Sequence, residues 1–464
     1  MDKEMYSIDD ALGMGLDRVM EEYKEHINPG FARLLGLLDL ERQFVRAKGS
    51  KVWDVDGHEY LDFLGGFGSL NFGHNHPRLR SIFSKTEELP FVLQVSLNGL
   101  TAAAGHNLNQ ITPGHLTHTF FGNSGAEAVE GAIKLAKIYT RKPGIVYTEG
   151  SFHGKTTGAL SITGREKYQK PFKPLLEACD CVPYGDLDRL EQVLKRNDIA
   201  GVVMEPIQGE GGIIVPPEGY LQGVQDLCHK YGALFILDEI QTGMGRTGFN
   251  FACLRDGLEP DILCLAKSLG GGVMPVGAFT TRKEIWEEAY GTINTCLMHT
   301  STFGGNSLAS AAVIVATQLL VEENLADRAA EMGQILIRGL VEMKNRYELI
   351  KAVRGRGLFV GVEFYQPAGE VLDKLSGGLV NKFSREYFAA MVAGELLNQH
   401  RVITAYTINN PNVIRLEPPL VVTEEEVNRV LNSLESIFNK NRGLLKISLK
   451  SAKRALGSIL SRRK

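Results

Sequence analysis

Five short apolar runs in this chain stop at residues whose types could do chemistry. THTFF (117–121) leads into Gly122, Asn123, Ser124, Gly125 and Ala126, and a helical pattern follows at once. GIVYT (144–148) is followed by Phe152 and His153, and GVVME (201–205) ends at Glu205 with Gln208 and Glu210 beyond it. LFILDE (234–239) closes in Asp238 and Glu239 with Gln241 next, and DILCLA (261–266) runs into Lys267, Ser268 and glycines 270–272. Taken singly, each has an ordinary explanation: a strand-end carboxylate is often a cap, a lysine a surface charge, a phenylalanine core, a glycine a turn. Taken together they are complementary.

Backbone N–H groups where a helix starts at residues 124–126 form an anion site, and Gly125 lets the anion come close. Phe152 and His153 are an aromatic pair able to cover a flat ring. A carboxylate closing an apolar run is costly without a partner, so Asp238 would answer a cationic ring nitrogen. Gln241 would bond a ring hydroxyl, and Lys267, its pKa depressed by the pocket, would attack an aldehyde to form a Schiff base. One molecule combines phosphate, flat cationic ring and aldehyde, and that is pyridoxal phosphate.

Such a set needs a scaffold that gathers strand ends. Between about 115 and 280 the short strands alternate with helical stretches AEAVEGAIKLAKIY (126–139), LDRLEQVLKR (187–196) and YLQGVQDLCHKYG (220–232). That alternation predicts a mostly parallel sheet covered by helices, whose ligands bind beyond the carboxyl ends of the strands. Upstream, residues 7–40 read as helices broken at Asn28, Pro29 and Gly30, and VWDVDGHEYLDF (52–63) as a hairpin about Asp56 and Gly57. Downstream of a helical region (306–345), GLFVGVEF (357–364) and VIRLEPPLVV (413–422) read as strands of a smaller α+β domain. Thr423 and Glu426 make a capping box for the last helix, VNRVLNSLESIF (427–438). The expected divisions are 1–65 (helices and hairpin), 66–330 (large cofactor-binding domain), 331–440 (small domain) and 441–464 (basic tail).

Composition bounds the alternatives. The 464 residues are 44% hydrophobic, enough for a large core, and the net charge of −3 gives no reason to expect nucleic acid as a partner. Residues 440–464 hold nine Lys or Arg and no acid, with leucines at helical spacing. A solvated or partner-packed terminal helix is preferred there to membrane association. The acidic N-terminus lacks the apolar stretch of a signal peptide, and no apolar segment is long enough to span a bilayer. Six scattered cysteines without a CxxC pair suggest reduced thiols and a cytoplasmic location. Two motifs fail in context. Gly243, Gly245 and Gly248 match a dinucleotide fingerprint but no helix follows, and Ser151 to Thr156 resembles a Walker loop whose first glycine position is Glu149.

The chain resembles the class III, ornithine-type pyridoxal-phosphate aminotransferases over roughly residues 20 to 440. The likeness rests on LGGFGSLNFGHNHP (64–77), FFGNSGAEAVEGAIKLAK (120–137), GSFHGKTTGALSITG (150–164), EPIQGEGG (205–212), LDEIQTGMGRTG (237–248), LAKSLGGGVMPVGA (265–278), STFGGN (301–306) and IRLEPPL (414–420). Within the class, YKEHINPGF (23–31) and DILCLAKSLGGGVMPVGA (261–278) look most like the putrescine aminotransferases. The resemblance implies fold type I, like aspartate aminotransferase, with a seven-stranded sheet. It makes Lys267 the Schiff-base lysine, Asp238 the ring-nitrogen acid, Gln241 the phenolic-oxygen contact and Phe152 the stacking ring with His153 beside it. Ser124, Gly125 and Ala126 would hold the phosphate within a cofactor set that includes Glu205. Thr302 would complete the phosphate site from a second subunit, implying a homodimer with shared sites that could pair further into a dimer of dimers. Arg415 matches the arginine that binds the carboxylate of glutamate or 2-oxoglutarate, and Glu210 the glutamate that covers it. Phe67 stands where ornithine aminotransferases have a tyrosine, which favours a diamine. The implied reaction moves a terminal amino group from an amine, best putrescine, to 2-oxoglutarate by ping-pong chemistry. Acetylornithine, ornithine or 4-aminobutyrate are alternative donors, and an aminomutase or decarboxylase a remoter alternative.

Overall fold

The structure, a computed structural model, describes residues 5–38, 40–365 and 379–440. The basic tail expected to form a helix lies almost wholly in 441–464, outside the described residues.

Three sheets organise the described residues. The first contains β1 (Phe44–Lys48), β2 (Lys51–Asp54) and β3 (Glu59–Asp62). Asp54 turns its hairpin: Oδ1 accepts the N–H groups of Asp56 and His58, and Oδ2 accepts the Tyr60 hydroxyl at 2.9 Å. The second sheet contains β4 (Leu116–Gly122), β5 (Gly144–Thr148), β6 (Cys179–Val182), β7 (Ile199–Met204), β8 (Leu234–Asp238), β9 (Ile262–Leu265) and β10 (Gly277–Arg282). The third is built from β11 (Ile350–Arg356) and β12 (Phe359–Phe364), followed by β14 (Ala405–Tyr406) and β15 (Val413–Leu416), while β13 (Val402–Ile403) returns to pair with β3 in the first sheet.

The strand order of the second sheet is β4-β10-β9-β8-β7-β5-β6. Only β10 runs against its neighbours, so the other six point their carboxyl ends the same way. Its central strands are buried end to end, as near-continuous apolar runs must be when helices cover both faces. The sequence pattern captured five of the six parallel strands, β4, β5, β7, β8 and β9, to within a residue or two. It did not single out β6 or β10, whose CDCV and GAFTTR lack a long apolar run.

Helix Gly125–Thr140 packs through Val129, Ala132, Ile133 and Ala136, an i, i+3, i+4 stripe, over Ile145, Val203 and Ile236 of the sheet. The helical region after residue 306 is two helices, Ser307–Glu322 and Leu325–Arg346. Helix Glu424–Lys440 opens on the expected capping box, with reciprocal bonds between Thr423 and Glu426. Among the described residues no single helix is long and apolar enough to cross a membrane.

Candidate active site

The carboxyl-end residues expected to hold the cofactor line one cavity of about 540 Å³, whereas Gln208, Glu210 and Ser268 from the same strand ends do not. Ser124, Gly125, Ala126, Phe152, His153, Glu205, Asp238, Gln241 and Lys267 all contribute to its wall. Five strands deliver them because six of the seven run parallel, and their carboxyl ends converge. Ser69, Asn123, Gly154, Ile240, Thr242, Ala266 and residues 272–276 complete the lining.

The anion end is a helix start. Ser124 caps helix Gly125–Thr140 by accepting the Glu127 N–H at 3.2 Å, leaving first-turn N–H groups facing the cavity with the helix dipole behind them. Gly125 packs closely on Ile240, since a Cβ there would stand 2.8 Å from its Cδ1 and force that side chain to shift.

At the far end, Asp238 is 4% exposed and already engaged. Its Oδ2 lies 2.7 Å from His153 Nδ1 and its Oδ1 accepts the Ile240 N–H at 3.1 Å. Burial disfavours a charged imidazole, but the hydrogen bond and charge of Asp238 outweigh it and hold the His153 pKa above its ordinary value. His153 therefore does what the sequence did not suggest, which is to fix the carboxylate. Glu205 closes this group. Phe152 N–H donates to one of its oxygens at 3.0 Å and Gly209 N–H to the other at 2.9 Å. Burial, countered in part by His153 and reinforced by Asp238, pushes its pKa up to about 7. Its neighbour in the motif, Glu239, is structural. It accepts the N–H groups of Ala252 and Cys253 at 2.6 and 2.8 Å and never reaches the cavity.

Lys267 follows β9 in the left-handed region, at φ 50°, a conformation that costs a non-glycine residue energy and is found disproportionately at functional sites. Burial lowers the pKa of its amine, although Glu417 and Glu210 oppose that shift. A neutral amine is the nucleophilic form.

The residues expected to meet substrate form a second layer. Arg415 sits within β15, paired to Gly361 and Ala405, and is fully buried. Its Nη2 is 2.5 Å from Glu210 Oε2, which also accepts the Ile408 N–H at 2.8 Å. The Phe67 ring lies 5.3 Å from the guanidinium, with its backbone at φ 57°. None of the three lines the 540 Å³ cavity directly. Thr302 is also outside it, with its carbonyl accepting Gln94 Nε2 at 2.6 Å. Sequence reasoning passed over Glu417, whose carboxylate accepts Gln241 Nε2 at 2.9 and 3.1 Å and lies 3.8 Å from Arg415 Nη1. The signal was present: Glu417 lies two residues after Arg415, and side chains alternate along a strand with period two.

This donor set suits pyridoxal phosphate: a helix start for the phosphate, a carboxylate for the ring nitrogen and a buried amine for the aldehyde. Fold and cavity define a pyridoxal-phosphate-dependent transferase of fold type I. The family model described as "Aminotransferase class-III" matches residues 39–438. The chain is 37% identical over 453 residues to "Aminotransferase PigE" of Serratia sp. (strain ATCC 39006), covering 91% of this chain but 53% of that relative, so it spans about half the relative's length. Ornithine aminotransferase from Toxoplasma gondii ME49 superposes with a TM-score of 0.81 at 30% identity, covering 94% of this chain and 100% of that one. Acetylornithine aminotransferase from Elizabethkingia anophelis gives 0.73 at 28% identity, covering 92% and 100%. The chain belongs to the class III aminotransferases, whose cofactor is pyridoxal phosphate.

Proposed function

We propose that this chain transfers the terminal amino group of a small amine, best putrescine, to 2-oxoglutarate, producing an aldehyde and glutamate. The observation that carries the reading is the buried ion pair of Glu210 with Arg415 beside Lys267, which suits a site that takes an amine and a diacid in turn. With Glu210 in place the arginine is covered and an amine without a carboxylate can enter. When Glu210 swings away, Arg415 is uncovered for a carboxylate of 2-oxoglutarate.

When bound, the cofactor withdraws electrons from the amine-bearing carbon and holds the amino group between the two half-reactions. Lys267 would hold its aldehyde at rest and, once displaced by the donor amine, would carry a proton through Nζ from the donor carbon to the cofactor carbon that bore the aldehyde. Asp238, steadied by His153, would keep the ring nitrogen protonated, and the N–H groups at residues 124–126 would hold the phosphate. Phe152 would pack on the ring. Gln241, whose Nε2 is committed to Glu417, would present its amide oxygen to the phenolic group. Glu205 would set the charge around the Asp238 and His153 pair.

We further infer a homodimer in which Thr302 completes the partner's phosphate site, because in its own chain Thr302 lies away from the cavity. Support comes from exposed apolar side chains around a second cavity of about 790 Å³, where Leu97 is 100% and nearby Val95 94% exposed. Six free cysteines fit a reducing compartment such as the cytoplasm.

The test is a single-turnover screen of putrescine, cadaverine, ornithine, acetylornithine and 4-aminobutyrate against the aldehyde form. It is followed by 2-oxoglutarate and a glutamate assay. Stoichiometric glutamate supports the reading; an amine consumed without glutamate points to the aminomutase or decarboxylase alternative. Ornithine or acetylornithine as the best donor is the second reading, favoured by the names of the structural neighbours.

A further inference from the structure

The substrate layer holds one arginine and two carboxylates, and the carboxylates differ in whether they can leave. Glu210 lies on the loop after β7 and keeps 9% side-chain exposure, so it has a path outward. Glu417 has none, at 0%. Gln241 holds both of its oxygens, and its backbone N–H donates to the Phe63 carbonyl at 2.8 Å. Two glycines close over it. A side chain at Gly68 (φ +82°) would collide with Oε1 and one at Gly65 (φ +55°) with its carbonyl oxygen. Arg415 is fully buried, yet its Nε and Nη1 have no hydrogen-bond partner among the described residues, so these donors are held for a ligand. The other buried arginine nearby, Arg246, gives both terminal nitrogens to the carbonyls of Leu358 and Pro418 and to Asn71, leaving only its Nε unpartnered among the described residues. Swinging Glu210 away thus uncovers an arginine that still has a carboxylate 3.8 Å from it.

We propose that Glu417 sets donor specificity as a fixed counter-charge, weakening the hold of Arg415 on carboxylate-ended donors and favouring donors whose far end is an ammonium. The inference rests on the aminotransferase reading and names the donor class: α,ω-diamines ahead of ω-amino acids. A carboxylate arriving at Arg415 is attracted by the guanidinium and repelled by Glu417 at close quarters in a site with little water. An ammonium meets the opposite balance. The same charge loosens the dicarboxylate acceptor. Fully buried, Glu417 does not touch the donor; it is a positioning residue that acts through Arg415 and Gln241.

The experiment compares wild type, Glu417→Gln and Glu417→Ala as holoenzymes. Glutarate, a dicarboxylate with no carbonyl to react, is titrated calorimetrically, and kcat/KM is measured for putrescine and 4-aminobutyrate. Loss of one nearby charge should tighten glutarate about tenfold and lower the ratio of putrescine to 4-aminobutyrate kcat/KM about tenfold, mainly through KM. Equal losses for both donors with unchanged glutarate affinity would mean that Glu417 only braces Gln241, which overturns the proposal. Glu417→Ala serves the same comparison should the glutamine variant fail to fold. Wild type alone also decides: a preference for 4-aminobutyrate over putrescine defeats the proposal and leaves the aminotransferase reading standing. No glutamate from any amine defeats that reading, while the glutarate titration still reports on Glu417.

Discussion

The two sides of the active site are built differently. On the cofactor side, Asp238 and Glu205 each have their oxygens taken by backbone N–H groups or by His153, all at 3.1 Å or less. Every one of these groups sits at or just beyond the end of a strand in one sheet. On the substrate side, Arg415 comes from a different sheet, Glu210 from a loop and Phe67 from a glycine turn, and the guanidinium retains unpartnered donors. A site that must hold one cofactor rigidly can tie its carboxylates at both oxygens, with only His153 Nε2 left unpartnered beside them among the described residues. One that accepts an amine and a diacid in turn, as proposed for this site, needs charges that can be exchanged, and exchange requires partners that are incompletely tied.

The sharpest way to break this comparison is at Lys267. Lys267→Ala should reduce turnover below detection, and mass spectrometry after borohydride reduction should find no covalent cofactor adduct, even if cofactor remains bound. Residual turnover near wild type would remove the cofactor side as described. Next is Asp238→Asn, which keeps the shape but removes the charge that raises the His153 pKa and is proposed to steer the ring nitrogen. A loss of about 10²-fold or more in kcat is expected with both half-reactions equally affected. The substrate side should respond unequally. Arg415→Ala is expected to raise KM for 2-oxoglutarate about 10- to 100-fold while the amine half-reaction, followed by stopped-flow absorbance, changes much less. Equal damage to both halves would erase the distinction between the two sides.

The smallest effect concerns pH. A lysine whose pKa is lowered by burial binds its proton less tightly folded than unfolded, so the cofactor-free protein gains stability as pH rises from that lowered value toward the ordinary 10.5. Lys267→Met removes the buried charge. It should raise the Tm of the cofactor-free protein by a few degrees near pH 7, with the advantage shrinking at higher pH. A gap that is flat with pH would show that Lys267 is not held below its ordinary value.

Much of this site was legible because of how strands and helices are written. An apolar run that ends abruptly in Asp238, or stops just short of Lys267, marks a strand end, and alternation with helices makes the strands parallel, so the chemistry at their ends must converge. The partnership of His153 with Asp238 was not legible, since the two are 85 residues apart and only the packing of β5 beside β7, and β7 beside β8, brings them together. Glu417 was missed for a related reason. Next to Arg415 in sequence it reads as part of a motif, but its weight comes from burial, from Gln241 and from two glycines far away in the chain.

The sequence by itself determined where five strands of the large sheet lie, the residue types at their ends and the cofactor those types suit, because local periodicity and chemical type are carried residue by residue. Tertiary structure alone decided which charges are tied and which are left to exchange. Burial, dielectric and the closeness of Glu210 and Glu417 to Arg415 arise only when segments distant in the chain are packed against one another.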